Sequence, residues 1–144
     1  MPVVRNPQFY FKEGFCWSNV LTTHIKCRQK QKTVHSTESM TFFSVTDHVP
    51  EYYLICMLNS RFVAYYVDSF VNATSHCTTG DAKLIPILVP TNEQLILFKS
   101  IFEKTLKIRI NESRHLITEQ KAELLLEEIQ KELDIAVNKL YGIV

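Results

Sequence analysis

Pro50-Glu51-Tyr52-Tyr53-Leu54-Ile55-Cys56-Met57-Leu58-Asn59-Ser60, residues 50–60, divides the chain into two kinds of structure. From Glu51 to Leu58 the residues are apolar enough and continuous enough for a buried helix. Asn59-Ser60 ends it, because short polar side chains hydrogen-bond neighbouring backbone and so favour caps and turns over helix interiors. A second helix is predicted over residues 61–71. Before Pro50 the pattern differs. Residues 8–11 and 15–20 are aromatic and β-branched, and Lys12-Glu13-Gly14 between them carries a turn signal, so the two are expected to form a hairpin. Residues 25–29 and 40–45 are further strand candidates, separated by a polar stretch without helical period.

Beyond residue 71 the chain is polar through Asp81, which is loop chemistry. Residues 84–89 read as a short apolar strand, but Pro86 lacks a ladder donor and restricts it to an edge or an irregular course. Thr91 with Gln94 three residues on forms a capping box, which opens a helix through about Arg109. A last helix is expected from about Thr118 to Tyr141. In it Leu126, Ile129, Leu133, Ala136 and Leu140 recur at three- and four-residue spacing. That stripe spans only about two heptads, too few for a free-standing coiled coil. It either packs on its own domain or docks a helix of a partner. Strands first and helices after define an α+β class: one domain with a small mixed or antiparallel sheet and C-terminal helices.

With 144 residues the chain suffices for a single domain with a proper core. Its hydrophobic share of 46% and charged share of 22% argue against disorder. The longest apolar runs are far too short to span a bilayer, and no secretory signal is visible, so a cytoplasmic protein is expected. Cys16, Cys27, Cys56 and Cys77 are scattered and never form a C-x-x-C pair. His24 near Cys27 and His76 beside Cys77 offer at most a sparse metal set, and reduced thiols are the expectation. The net charge of +1 conceals an asymmetry. Arg5, Lys12, Lys26, Arg28, Lys30 and Lys32 face only Glu13 at the front, whereas acids dominate residues 112–134.

The usual catalytic constellations are missing. Only Gly14, Gly80 and Gly142 occur, which is too few for a loop that brings several backbone amides onto a phosphate. No G-x-S-x-G elbow is present. Asp47, Glu51, Asp68 and Asp81 would have to converge by folding to hold magnesium for a nuclease. No catalytic residue and no cofactor is therefore assigned to the chain itself.

Several short motifs occur in a fixed order. They are Asn6-Pro7-Gln8-Phe9-Tyr10-Phe11-Lys12-Glu13-Gly14-Phe15-Cys16-Trp17-Ser18, then Arg28 before a polar loop, and then Leu58-Asn59-Ser60 closing the apolar helix. Asn72-Ala73-Thr74, Gly80-Asp81, Leu84-Ile85-Pro86-Ile87 and finally Asp134 with Leu140-Tyr141-Gly142 complete the series. Together they resemble the TaqI-like C-terminal specificity domain, the target-recognition part of many adenine-specific DNA methyltransferases and fused restriction-modification enzymes. Ala73 stands where that family commonly has proline, and the family's Asn-Pro-Pro-Tyr motif is absent. A related resemblance is to half of an HsdS-type specificity subunit. The resemblance implies a non-catalytic DNA-recognition module over residues 1–110, with residues 111–144 as its C-terminal packing helix. It also implies duplex DNA and a catalytic methyltransferase domain as partners, S-adenosylmethionine as cofactor of the parent enzyme alone, and a bacterial or archaeal cytoplasm.

Lys26, Arg28, Lys30 and Lys32 alternate with Gln29 and Gln31. On an extended strand the cations would share one face and the glutamines the other. Cations on phosphates would give salt-dependent affinity, while glutamine can pair with adenine and arginine with guanine. The same pattern also describes an edge strand guarded by lysines. Thr74, Ser75, His76, Thr78 and Thr79 form a second candidate segment, either a recognition loop or a surface turn. The two segments are expected to flank one groove of the duplex. Phe15 and Trp17 are expected in the core rather than as stacking platforms for bases. The competing functions are a protein-interaction module docking through its C-terminal helices, and a magnesium-dependent nuclease.

Overall fold

A computed structural model describes residues 6–20, 25–34, 36, 39–74 and 76–143. The fold is α+β. Three short strands, β1 (Gly14–Ser18), β2 (Arg28–Lys30) and β3 (Ser39–Phe42), make an antiparallel sheet in the order β2-β1-β3. Among the described residues five helices follow: α1 (Glu51–Leu58), α2 (Arg61–Tyr66), α3 (Thr79–Ala82), α4 (Asn92–Ser113) and α5 (Glu119–Leu140). A π-helical turn at Val67–Val71 extends α2.

Helix α1 lies at the centre, which explains why its sequence is apolar on all sides. Ile55 and Leu58 join Phe15, Trp17 and Val63 in a core beneath the sheet. Tyr53, Cys56 and Met57 join Phe98, Ile101, Leu133 and Val137 in a second core among the helices. The stripe of α5 faces this second core: Leu133 is buried within it, and Ile129, Ala136 and Leu140 pack against it. Helices α4 and α5 form a hairpin, tied by an ion pair of 2.9 Å between Lys104 and Glu132. The division expected at residues 110/111 falls inside α4.

Helix ends agree with the cap chemistry. Ser60 accepts from the amide of Val63 and donates to the carbonyl of Met57, turning the chain between α1 and α2. Thr91 and Gln94 form the reciprocal capping box, and Thr118 caps α5. The strands depart further from expectation. Pro7–Phe9 is a 3-10 turn and not a strand, with Pro7 near its start and Phe11 in a left-handed conformation (φ 59°) that breaks any extended run. The expected hairpin is therefore not formed, and β1 pairs instead with β2 and β3. Residues 84–89 are irregular, as one of the two expected courses for the Pro86 segment. Tyr141 donates its hydroxyl to the carbonyl of Pro86, and Tyr53 donates to that of Leu88 at 2.8 Å. The polar stretch before it holds a single helical turn, α3, opened by a capping box between Thr78 and Asp81.

All four cysteines are free and buried. Burial pushes the Cys27 thiol well up, that of Cys56 to about 12 and that of Cys77 to about 11, so these thiols are held protonated and unreactive. No group of three or more metal-ligating side chains occurs among the described residues. His24 lies outside them. No helix of the structure is long and apolar enough to cross a membrane.

Candidate nucleic-acid interface

The segment leading into β2 is built by one asparagine. The side chain of Asn59, at the end of α1, accepts from the amide of Cys27 at 2.9 Å and donates to its carbonyl at 2.8 Å. It thus pairs with Cys27 as a neighbouring strand would, and a further bond of 2.9 Å to the carbonyl of Ile55 fixes its amide. The chain then passes from Asn59 to β1, where Arg28 stands opposite Cys16, Gln29 opposite Phe15 and Lys30 opposite Gly14.

Ile25 and Cys27 are buried and Lys26 and Arg28 exposed, but Gln29 is also exposed and Lys30 points inward. Lys30 is therefore not part of an exposed row of cations. Lys30 is only 5% exposed, and its ammonium donates to the carbonyl of Lys12 at 2.7 Å. It ties the turn before β1 to the sheet edge. We expect Lys30→Ala to lower stability by about 1.5–3 kcal/mol, as for a hydrogen bond from a charged donor. Urea unfolding would show this, and an unchanged midpoint would contradict the structural role.

Lys26, Arg28, Gln29 and Gln31 line a cleft of about 620 Å³ whose far side is the α4–α5 hairpin. Its floor is apolar, with Ile101, Phe102 and Leu133 among its residues, and Arg109 of α4 lines it as well. Lys26 and Arg28 are in no ion pair among the described residues. Gln29 also lines an adjoining cleft of about 650 Å³ whose chemistry is different, since Asp47 and Glu51 belong to it. Lys32 is exposed outside both.

The second candidate segment is placed elsewhere. Val20 and His76 form an isolated antiparallel bridge, and the amide of Cys77 donates to the carbonyl of Asn19. Thr78 is occupied in the capping box, its hydroxyl 2.8 Å from the Asp81 carboxylate. The Thr78 amide, with the Thr78 and Asn72 side chains, holds the Asp81 carboxyl below its ordinary value against the opposing effect of burial. Thr74 accepts from the amide of His76. Thr79 lines a third cleft, beside β3, with Phe9, Thr41 and Phe43. The β2 segment and Thr79 thus line different clefts, on opposite sides of β1. Ser75 lies outside the described residues. Phe15 and Trp17 are buried, and Trp17 stacks on Phe42 with ring centroids 4.3 Å apart.

Arg109 was not among the sequence-predicted residues. Nothing in its helix distinguishes it from the other cations there, and only the tertiary packing of α4 brings it to the cleft. The three glycines do not provide a nucleotide or S-adenosylmethionine cradle. Gly14 lies within β1, where an added Cβ would stand 2.4 Å from the carbonyl oxygen of Phe42; Gly80 lies in α3, and Gly142 follows α5.

No family model matches the chain. It is 30% identical over 87 residues, 59% of its own length, to the adenine-specific methyltransferase BrxX of Escherichia coli O9:H4 (strain HS). The match spans about 7% of the length of that curated relative. Over that portion the chain is similar to an adenine-specific methyltransferase.

Proposed function

We propose that the chain is a DNA target-recognition module serving an adenine methyltransferase of a restriction-modification type, akin to the TaqI-like specificity domain. The observation that carries this reading is the convergence of exposed Lys26 and Arg28, in no ion pair among the described residues, with Gln29 and Gln31 on one cleft. It occurs in a chain with partial similarity to an adenine-specific methyltransferase. Cations of this kind supply affinity for phosphates, and exposed amides and guanidinium groups beside them can read base edges. The acids of the adjoining cleft disfavour phosphate there, so Gln29 stands at the border between a backbone-binding side and a side tolerant of amino groups on bases. S-adenosylmethionine and the transfer chemistry belong to a separate catalytic domain.

The test is fluorescence anisotropy of the chain with a random-sequence duplex pool across a salt series, followed by selection of the preferred duplex. Lys26→Ala is expected to weaken all sequences alike and to reduce the slope of log K against log[salt] by about one. Arg28→Ala is expected to cost about 1–3 kcal/mol on the preferred duplex and to relax selectivity there. Unchanged binding in both variants would overturn the assignment.

A second reading is favoured by the hairpin surface. Leu124 of α5 is 62% exposed, Ile135 is 69% exposed, and Leu116 between the helices is exposed as well. These residues suit docking of a partner protein, and absence of any duplex binding at low salt would favour that role instead.

A further inference from the structure

The cleft beside β2 has two walls, and only one of them was legible as a nucleic-acid surface. We propose that α4 supplies the second wall of the DNA-binding cleft, with Arg109 binding a phosphate of the duplex backbone. This rests on the DNA-recognition reading above.

Among the described residues, three cations line the cleft, Lys26 and Arg28 from the sheet edge and Arg109 from α4, and no carboxylate joins them. Glu112, the ion-pair partner of Arg109, is outside that lining, and Asp47 and Glu51 line the adjoining cleft. Such sorting of charge matters because the floor between the cations is apolar. A cleft of one charge sign over low-dielectric walls focuses its field and raises the local concentration of counter-charge. The ligand chemistry that fits is a polyanion with its charges spaced along a chain, which describes a phosphodiester backbone.

Arg109 is also oriented for that role. Its Nη1 donates to the Glu112 carboxylate at 2.8 Å, one helical turn on. Glu112 is the less exposed member of this pair, and Arg109 remains 59% exposed in its side chain. One edge of the guanidinium is therefore anchored, while donors on the other edges stay available for a phosphate oxygen. Other cations of α4 differ. Lys104 is tied to Glu132 across the hairpin, and Arg114 follows the helix at its C-terminal end, outside the cleft.

The experiment is the salt series already described, with Arg109→Gln compared against Arg114→Gln. Arg109→Gln is expected to lower affinity on random and preferred duplexes by the same factor and to reduce the salt slope by about one, one counterion-releasing contact being lost. Arg114→Gln is expected to match the wild type. Arg109→Lys, which keeps the charge, is expected to restore the slope. Thermal melts of each variant guard against loss of fold, since Arg109 is exposed and its replacement should leave the midpoint unchanged. Salt-dependent duplex binding with the same slope in Arg109→Gln and wild type would overturn the second wall while leaving the β2 surface standing. The same result together with tight, Arg109-dependent binding of an acidic peptide would assign the cleft to a protein partner. Absence of duplex binding by the wild type would overturn both readings.

Discussion

Replacing Trp17 by alanine is expected to remove about 3–5 kcal/mol of folding stability, the usual cost of emptying a buried aromatic site. This is a large share of the roughly 5–15 kcal/mol that holds a domain together. The tryptophan is 1% exposed, in the central strand of a three-stranded sheet. One face of its indole lies on Phe42 of β3, with planes 9° apart. Its N–H donates to the carbonyl of Cys77 at 3.2 Å, sixty residues away. Trp17 therefore joins the sheet to the segment that precedes α3, and its loss leaves both a cavity and an unpaired carbonyl. Trp17→Phe keeps most of the stacking but not the donor, and should cost about 1–3 kcal/mol for the carbonyl left without a partner. As Trp17 is the sole tryptophan of the sequence, unfolding is best followed by far-ultraviolet circular dichroism. At about 2–4 °C per kcal/mol for a chain near this size, Trp17→Ala should shift the melting midpoint by roughly 10 °C. A variant that kept the wild-type midpoint but lost duplex binding would show that Trp17 serves as a stacking platform, contrary to its burial.

The helices were legible because their signals are local. Thr91 with Gln94, Thr118 before α5 and the Asn59-Ser60 break each lie within a few residues of the backbone groups they satisfy, and Glu51–Leu58 has the bounds its apolar run predicts. The strands were less legible because they are three to five residues long and owe their existence to partners distant in sequence. Residues 8–11 have strand composition, yet Pro7 and the left-handed Phe11 select a 3-10 turn. The candidate site divides in the same way. Lys26, Arg28, Gln29 and Gln31 were singled out by residue type, and all four line one cleft. Lys30 was misplaced because its burial depends on the turn at Lys12, a contact eighteen residues away in sequence. The Thr74–Thr79 composition gave no hint that Thr78 would be occupied in a cap. Arg109 could only be found from the packing of α4.

Asn59 is where stability and the candidate site meet, and its substitutions are expected to have the second large effect. Asn59→Ala removes the partner of both the amide and the carbonyl of Cys27, in a segment where Ile25 and Cys27 itself are buried. At about 1–3 kcal/mol for each unsatisfied group, the loss should reach about 2–6 kcal/mol. Asn59→Asp separates the two halves of the bidentate pair. A carboxylate still accepts from the Cys27 amide, but it sets negative charge against the carbonyls of Cys27 and Ile55, which the asparagine amide now serves as donor. Only a protonated carboxyl can donate to either of them. Folding therefore favours the protonated form, and the folded pKa of the new group should rise above the unfolded value of about 3.9. For a group raised in this way, the favourable contribution is complete below the unfolded value and is lost as pH rises through the folded value. The wild type has the opposite trend from Asp81, whose lowered pKa stabilises the fold above the ordinary carboxylate value and ceases to do so as pH falls. The quantity to follow is thus the difference between variant and wild type, measured by urea unfolding from acid to neutral pH. That difference should be smallest in acid and grow toward neutrality. A penalty that does not vary with pH would mean that the side chain at position 59 is free to turn away from Cys27. In that case Lys26 and Arg28 would owe their positions to β1 alone, and not to the asparagine that ends α1.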